Sequence, residues 1–307
     1  MPADSSHHAR MPATSVVIPF YDNARTLKAT VLSILACDPA PDEIILVDDG
    51  SADAGSEAVA GMPVRLIACH HRGRAAALNR GIAEAKGAIL FFTDADCVVP
   101  KDWVQALLKF FEDPALAGVG GNLLPSKWNT VEIAKVLRYV HEFESDRLLE
   151  GAYADACLNG NNMALRAGAL AEVGGFDETY LHGADADLTR RLLEAGFRLF
   201  RTTAVSAAHL KVESLFSFLR TCFMRGSTVR FALGCEPLGL ARATRLFVTS
   251  PPRNLARDLA RIGRLAAVRP GLSRTRCALA ALCNLLGAWW NAAGQVHFSK
   301  RFARGGK

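Results

Sequence analysis

Three pairs of closely spaced carboxylates lie next to apolar segments in this chain of 307 residues. Two carboxylates held close together repel each other unless a cation or several hydrogen-bond donors lie between them. A divalent metal ion that carries phosphate oxygens is such a cation. The pairs therefore predict a site for a metal ion and a nucleotide. They are Asp48 with Asp49, Asp94 with Asp96, and Asp185 with Asp187.

Each pair also has a simpler structural interpretation. Asp94 or Asp96 would serve as a helix N-cap, because aspartate is favoured there. Residues 48–51, Asp-Asp-Gly-Ser, have the composition of an ordinary turn. One of Asp185 and Asp187 would cap the helix that follows, while the other would be a general base that accepts a proton from a hydroxyl.

Two basic or metal-binding side chains join these candidates. Arg74 begins a predicted helix rich in small residues, where its guanidinium would meet a diphosphate; a solvated arginine on a packed helix is the equal alternative. His209 ends a short predicted strand. A lone histidine in an apolar segment is usually a core residue, so a metal-ligand role requires it to lie near Asp96.

The elements that must position these residues favour a parallel α/β sheet. Strand-like and helical segments alternate over roughly the first 110 residues. Because parallel strands end at the same edge of a sheet, the pairs at 48–49 and 94–96 are expected to face one crevice. Predicted strands lie at 15–18, 43–47, 63–68, 88–93, 116–124, 161–166 and 205–208, and predicted helices begin at 23 and 100 or cover 73–85, 131–149, 184–195 and 216–233.

Charge divides the chain into two parts. Residues 239–307 carry 13 Lys and Arg against one Asp, a net charge of +12, whereas the preceding residues carry 23 basic and 29 acidic side chains, a net charge of −6. A nucleic-acid-binding protein would spread positive charge over its main fold, so the pattern argues against that class. The basic tail is expected to have its own role.

The tail contains two helical patterns. Arg253, Arg257, Arg261 and Arg264 recur on one face, with Leu255, Leu259, Ile262 and Ala266 on another. This pattern is typical of a helix lying on an anionic membrane, and a solvated face over a protein core is the alternative.

The second pattern is a charge-free stretch of 19 residues, 277–295, which contains Trp289 and Trp290. Its small and polar stripe favours an interfacial or re-entrant helix over a packed helix, and a packed helix over a span of the bilayer. No secretory signal is visible, and the eight cysteines show no paired CxxC spacing, which indicates a cytosolic protein. We expect it at the inner face of the plasma membrane, as a peripheral or monotopic protein.

Short motifs spread over residues 14–234 resemble, in type and order, those of the family 2 glycosyltransferases with the GT-A fold. Each motif alone is common, but the ordered set is specific. The resemblance implies a mixed, mainly parallel central sheet in a GT-A domain, which we place at 14–238. The residues themselves predict a disordered leader at 1–13 and a basic, helical, membrane-associated tail at 239–307. The motifs are VVIPFYDN at 16–23, ILVDDGS at 45–51, NRG at 79–81, DAD at 94–96, NNMA at 161–164, GGFD at 174–177 and DADL at 185–188, followed by the stretch 190–197.

The resemblance implies transfer of a sugar from a nucleotide-diphosphate sugar to a hydroxyl acceptor, with inversion. It places Pro19, Tyr21 and Asp49 around the nucleoside with support from Asp48, and it is compatible with Arg74 near the diphosphate. Asp96, with Asp94, would bind Mg²⁺ or Mn²⁺, to which His209 would contribute. Asp185 would be the catalytic base. The acceptor is expected to be lipid-linked or a growing surface glycan.

The chain departs from the family pattern at two places. Ala184 replaces a glutamate that often precedes the base, and residues 222–226 lack the Gln-x-x-Arg-Trp signature of processive synthases, which predicts one sugar per encounter. A nucleotidyltransferase remains an alternative, although residues 19–22 do not form the glycine-rich loop expected after its first strand. A catalytically silent scaffold is the other alternative, because of Ala184.

Overall fold

The computed structural model describes residues 12–139, 145–151, 157–180, 183–232, 252–265 and 269–303. The strands in these residues are β1 (Thr14–Phe20), β2 (Glu43–Asp48), β3 (Arg65–Ala68), β4 (Ile89–Thr93), β5 (Cys97–Val98), β6 (Leu116–Pro125), β7 (Arg147–Leu149), β8 (Asn162–Arg166) and β9 (Arg198–His209). The α-helices are α1 (Leu27–Leu35), α2 (Gly55–Ala58), α3 (Arg74–Glu84), α4 (Trp103–Leu108), α5 (Thr130–Tyr139), α6 (Ala167–Val173), α7 (Ala184–Glu194), α8 (Leu215–Ala232), α9 (252–265) and α10 (Arg274–Ala303).

These strands form one mixed sheet in the order β3-β2-β1-β4-β8-β6-β9-β5, and β7 pairs with β9. The first four strands of that order are parallel, β8 runs antiparallel between β4 and β6, and β6 is parallel to β9. The prediction of an α/β fold with a mixed, mainly parallel sheet and a helical C-terminal part is therefore confirmed. The carboxyl ends of β1, β2 and β4 lie at one edge, as the parallel pairing requires.

Helices cover both faces of the sheet, which is why its central strands are apolar on both sides. Along β1, Val16 and Ile18 face a core shared with α1 and α4, whereas Val17 faces α3 and α7. Helix α3 approaches β1 very closely because Gly81 lies at the contact, where a Cβ would overlap Val17 Cγ1. The close approach fixes the position of Arg74 at the N-terminal end of α3.

Two element predictions in the second half are wrong in extent, and one helix was not predicted. The helix predicted at 131–149 does not reach its predicted end, because 147–149 is β7, whose Leu149 is buried against the sheet. The strand predicted at 205–208 is the end of the 12-residue β9, and α6 was not predicted. Pairing of β7 and β6 with β9 is a long-range contact, so local pattern did not indicate it.

Helices α9 and α10 pack on α5, which differs from the expected membrane-lying arrangement of the tail. Leu255, Ile262 and Leu265 of α9 contact the same apolar cluster as Cys277 and Ala280 of α10 and several α5 residues. Leu255 and Ile262 of the predicted apolar face therefore cover protein, while Leu259 of that face is exposed.

The small and polar stripe of α10 also faces protein. Asn284 is buried and donates to the Ala134 carbonyl oxygen at 2.7 Å and to the buried Asp258 carboxylate at 2.8 Å. The packed-helix alternative for residues 277–295 thus describes this face of α10. Within the part of the chain that the structure describes, no helix has both the length and the apolar character needed to span a bilayer. Residues 1–11 of the expected leader and the domain boundary at 238–239 lie outside the described residues.

Candidate active site

Asp49 lies just after β2 and organises the loop that follows β3. Its side chain is buried; Oδ1 accepts the Arg72 N–H at 2.8 Å, and Oδ2 accepts the Gly73 N–H at 2.9 Å. His71 Nδ1 lies 2.9 Å from Oδ2, and its ring stacks on Tyr21 with a centroid separation of 4.3 Å. Tyr21 is exposed, so its ring offers a stacking surface for a planar ligand.

Two of the residues predicted around the nucleoside, Pro19 and Asp48, contact protein groups in this structure. Pro19 is buried within β1 opposite Val47, so it does not share the exposed position of Tyr21. Asp48 Oδ1 accepts the Ser51 N–H and Oδ2 accepts the Ser56 hydroxyl, each at 2.8 Å. Burial raises the pKa of Asp48, but these hydrogen bonds outweigh burial and hold the pKa below its ordinary value. Asp48 therefore fixes the turn beside Asp49.

Arg74 links the edge carboxylates to a second loop. Its Nε and Nη2 lie 2.8 and 2.7 Å from Asp94 Oδ1, and Nη2 also donates to the Gly160 carbonyl oxygen at 2.9 Å. Burial lowers the pKa of Arg74, but the negative charges of Asp94 and Asp185 raise it by more. The pKa of Arg74 therefore lies above its ordinary value. In this structure the guanidinium pairs with protein carboxylate and carbonyl groups. Both contacts with Asp94 go to Oδ1, which leaves Oδ2 outside the ion pair.

Asp96 and His209 form the other half of the predicted metal site. His209 Nε2 lies 3.4 Å from Asp96 Oδ2, which brings together two residues 113 positions apart. Burial raises the pKa of Asp96, but the hydrogen bond and charge of His209, together with Lys211, lower it below its ordinary value. Burial and the negative charge of Asp96 raise the pKa of Asp94 despite Arg74. The two carboxylates thus repel each other as the sequence predicted.

The residues present fit a divalent metal ion, although the described residues hold no preformed group of three ligands. Asp94 and Asp96 supply carboxylate oxygens and His209 supplies imidazole, a donor set that suits Mn²⁺ or Mg²⁺. The His209 ring faces Asp96 through Nε2, and its Nδ1 is buried without a hydrogen-bond partner among the described residues.

Asp185 and Asp187 have different environments, although both lie in the first turn of α7. Asp187 is buried and pairs with Arg190 at 2.8 Å and Arg191 at 2.7 Å. Asp185 instead accepts main-chain N–H groups, from Ala186 at 3.0 Å and from Gly160 at 3.3 Å. Both oxygens of Asp187 are therefore occupied by arginines, whereas Asp185 contacts main-chain N–H groups and, within the described residues, no arginine hydrogen bond holds it.

The predicted residues converge through this set of contacts. Asp49 holds the loop that leads into Arg74, Arg74 holds Asp94 and Gly160, and Gly160 contacts Asp185. At Gly160 a Cβ would lie 3.2 Å from both the Arg74 guanidinium and the Asp185 side chain, so the position is tightly enclosed. Carboxylates from three distant segments therefore face one site.

Other motif residues have structural roles. Asn79 exchanges two hydrogen bonds of 2.8 Å with the backbone of Phe176, which ties α3 to the Gly-Gly-Phe-Asp turn. Asn162 accepts the Trp103 indole N–H at 2.8 Å and donates to the Asn122 carbonyl oxygen at 2.7 Å inside the core. Ala184, at the position of the missing glutamate, is buried in the apolar cluster under α7.

Sequence reasoning missed His71 and Gly160. Both lie in loops rather than in a chemical motif, and their contacts join segments far apart in the chain. The available signal was position, because residues 70–73 follow a strand of the parallel sheet at its ligand-binding edge. For Gly160 the sequence contained no comparable signal, since its role depends on the distance between Arg74 and Asp185.

Comparison with known proteins agrees with this geometry. The family model described as Glycosyl transferase family 2 matches residues 15–174. The pre-mycofactocin glycosyltransferase of Mycobacterium tuberculosis is 29% identical over 240 residues, which cover 74% of this chain and 50% of that protein, so the chain spans about half of that relative's length. The glycosyltransferase AglE of Haloferax volcanii is 26% identical over 268 residues, which cover 82% of this chain and 87% of that protein.

A solved structure extends the likeness to the tail. The mannosyltransferase PcManGT from Pyrobaculum calidifontis, in complex with GDP-Man and Mn²⁺, has a TM-score of 0.62 over 95% of this chain and 89% of that chain, at 21% identity, which shows a common fold. The family match argues against the nucleotidyltransferase alternative. The chain therefore belongs to glycosyl transferase family 2 and has the GT-A fold.

Proposed function

We propose that this enzyme transfers one sugar per encounter from a nucleotide-diphosphate sugar to a hydroxyl of a lipid-linked or glycan acceptor, with inversion and with a divalent metal ion. The observation that carries the proposal is the connection of Asp49, Asp94 and Asp185 through Arg74 and Gly160. These carboxylates come from three segments, and each has a different set of partners that matches a different task.

The donor would bind with its base against Tyr21 and its diphosphate near Asp94. Tyr21 and His71 form an exposed stacked pair, and Asp49 has its oxygens fixed by main-chain N–H groups, which preorganises this end of the site. Arg74 would approach the diphosphate only as part of its pair with Asp94. The likeness to PcManGT, whose complex contains GDP-Man and Mn²⁺, supports a nucleotide sugar and a metal ion.

Asp94, Asp96 and His209 would hold Mg²⁺ or Mn²⁺. When bound, such an ion neutralises charge on a diphosphate leaving group. The protein's own contribution is to keep Asp96 ionised beside His209 and to place Asp94 within two residues of it.

Asp185 would act as the general base. Its carboxylate takes the proton of the acceptor hydroxyl as the hydroxyl oxygen forms a bond to the anomeric carbon. The bond from that carbon to the diphosphate breaks, and the nucleoside diphosphate leaves with the bonding electrons. Attack from the face opposite the leaving group inverts the configuration.

The acceptor would carry an apolar portion. The segment after His209 presents Lys211 and the exposed side chains of Val212, Leu215 and Phe216, of which Phe216 is 79% exposed. The backbone of this segment is fixed next to the site, because the Leu210 N–H donates to the Asp96 carbonyl oxygen at 2.7 Å. A cation beside apolar side chains suits a lipid chain with an anionic head, and such acceptors are held at membranes.

A panel of nucleotide sugars tests the proposal. We expect one donor class to raise the melting temperature in the presence of Mn²⁺, and not with chelator, because a ligand that binds only the folded state stabilises it by mass action. The same donor should be hydrolysed slowly, and transfer to a hydroxyl of a polyprenyl-diphosphate-linked sugar should give the inverted anomer by NMR. Binding of no nucleotide sugar, or hydrolysis unaffected by chelator, would contradict the donor and metal assignments respectively.

A further inference from the structure

The outer face of α10 is a continuous apolar surface that the globular domain leaves uncovered. Five large side chains lie there, with exposed fractions between 39% for Trp289 and 49% for Leu279. At 100° per residue they occupy an arc of about 100°, and they extend over about 16 Å of the helix. They are Leu279, Leu282, Leu286, Trp289 and Trp290.

This arc lies opposite the packed side of the helix. Ala280, Ala281 and Asn284 face α5 and α9 and are buried. Further along, Asn291 donates to the Cys222 carbonyl oxygen at 3.1 Å on α8. The helix thus presents its small residues to the protein and its large apolar residues to solvent, the reverse of an ordinary surface helix.

Positive charge surrounds this apolar face. No charged residue occurs between Arg276 and Lys300, and residues 239–307 carry a net charge of +12. On the neighbouring α9, Arg253 and Arg264 are exposed, on the side away from the buried Asp258 and Leu265, and the exposed Arg257 lies 3.4 Å from the Asp258 carboxylate. An apolar strip with tryptophans and a rim of arginines matches the interface of an anionic bilayer, where aromatic rings lie at headgroup level.

We propose that α10 binds the surface of an anionic membrane through Leu279, Leu282, Leu286, Trp289 and Trp290, with the exposed arginines of α9 contacting lipid headgroups. The sequence prediction placed both the arginine-bearing helix and residues 277–295 at the membrane. The structure narrows the apolar contact to the outer face of α10, because Leu255 and Ile262 of α9 pack against protein. A second copy of the chain is a poorer occupant, because it would bring two tails of net charge +12 together.

The test is flotation of the full chain with vesicles of phosphatidylcholine alone and of phosphatidylcholine mixed with phosphatidylglycerol. We expect binding to the mixed vesicles, weakened by salt, with a blue shift of tryptophan emission. Replacing Trp289→Ser together with Trp290→Ser should lower the partition coefficient by roughly tenfold or more and abolish the shift, because these side chains lose their apolar contact with lipid. Arg253→Gln with Arg264→Gln should cost about fivefold per charge on mixed vesicles.

A matched control replaces Leu32→Ser together with Leu66→Ser, two side chains of similar exposure, 50% and 43%, outside the tail. This variant should bind vesicles as the wild type does. The proposal is overturned if the wild type does not float with mixed vesicles, or if the tryptophan variant floats equally well. A concentration-dependent dimer that the tryptophan variant abolishes, without vesicle binding, would assign the face to a second copy. Binding is measured without donor or acceptor, so its failure is distinguishable from failure of the proposed transfer.

Discussion

Replacing Asp185→Asn is expected to abolish sugar transfer while leaving the fold and donor binding intact. The side chain keeps its size, and the amide oxygen can still accept the Ala186 N–H. The amide NH₂ then faces the Gly160 N–H, so one hydrogen bond of 3.3 Å is lost. That loss costs about 0.5–1 kcal/mol, or a few degrees in melting temperature. Loss of a general base costs about 10²–10⁴ in kcat, equivalent to roughly 3–5 kcal/mol of barrier.

The neighbouring carboxylate provides the control. Asp187→Asn removes the buried negative charge that pairs with Arg190 and Arg191 and leaves one of the two arginines facing an amide NH₂. It is expected to cost about 2–3 kcal/mol, because both arginines are partly exposed. The melting temperature should fall by about 4–12 °C, while activity per folded molecule changes by a few-fold at most. Calorimetry, single-turnover transfer and nucleotide titration separate the two variants. If Asp185→Asn turns over within tenfold of the wild type, the base assignment is refuted.

The remaining predictions concern the site and the tail. Arg74→Lys should lower kcat/KM by roughly 10- to 100-fold, because an ammonium cannot contact Asp94 and Gly160 together; steady-state kinetics checks this. The pKa of Asp48 is depressed, so its ionised carboxylate stabilises the folded state, and this stabilisation is lost as pH falls below about 4. Asp48→Asn should therefore weaken the dependence of unfolding free energy on pH in this acid range, as measured by urea titrations at several pH values. Gly294→Ala should destabilise by thermal melting because its Cβ overlaps the carbonyl oxygen of Phe223 on α8, whereas Gly263→Ala, with open space, should stabilise by up to about 1 kcal/mol.

The position of the carboxylates at the sheet edge was predictable from the local sequence pattern. The apolar runs before Asp48 and Asp94 are long enough to be buried strands, and parallel pairing then places both carboxylates at one edge. The different roles of Asp185 and Asp187 were not predictable, since both have the same spacing from the helix start. The partners of Asp187 follow it by three and four residues, a helical spacing that was visible but left unused.

The tail shows why amphipathic pattern alone did not locate its packed face. Helices α9 and α10 each have an apolar and a non-apolar face. An amphipathic pattern shows that the apolar face is buried, but it does not distinguish burial against protein from burial in lipid. On α9 the protein takes the apolar face, with Leu255 and Ile262 against the core. On α10 the protein takes the small, polar face, because Asn284 binds Asp258 and Gly294 lets α8 approach closely. Arg257 lies near one oxygen of the buried Asp258, and Asn284 donates to the other, so α10 turns Asn284 inward and its tryptophans outward.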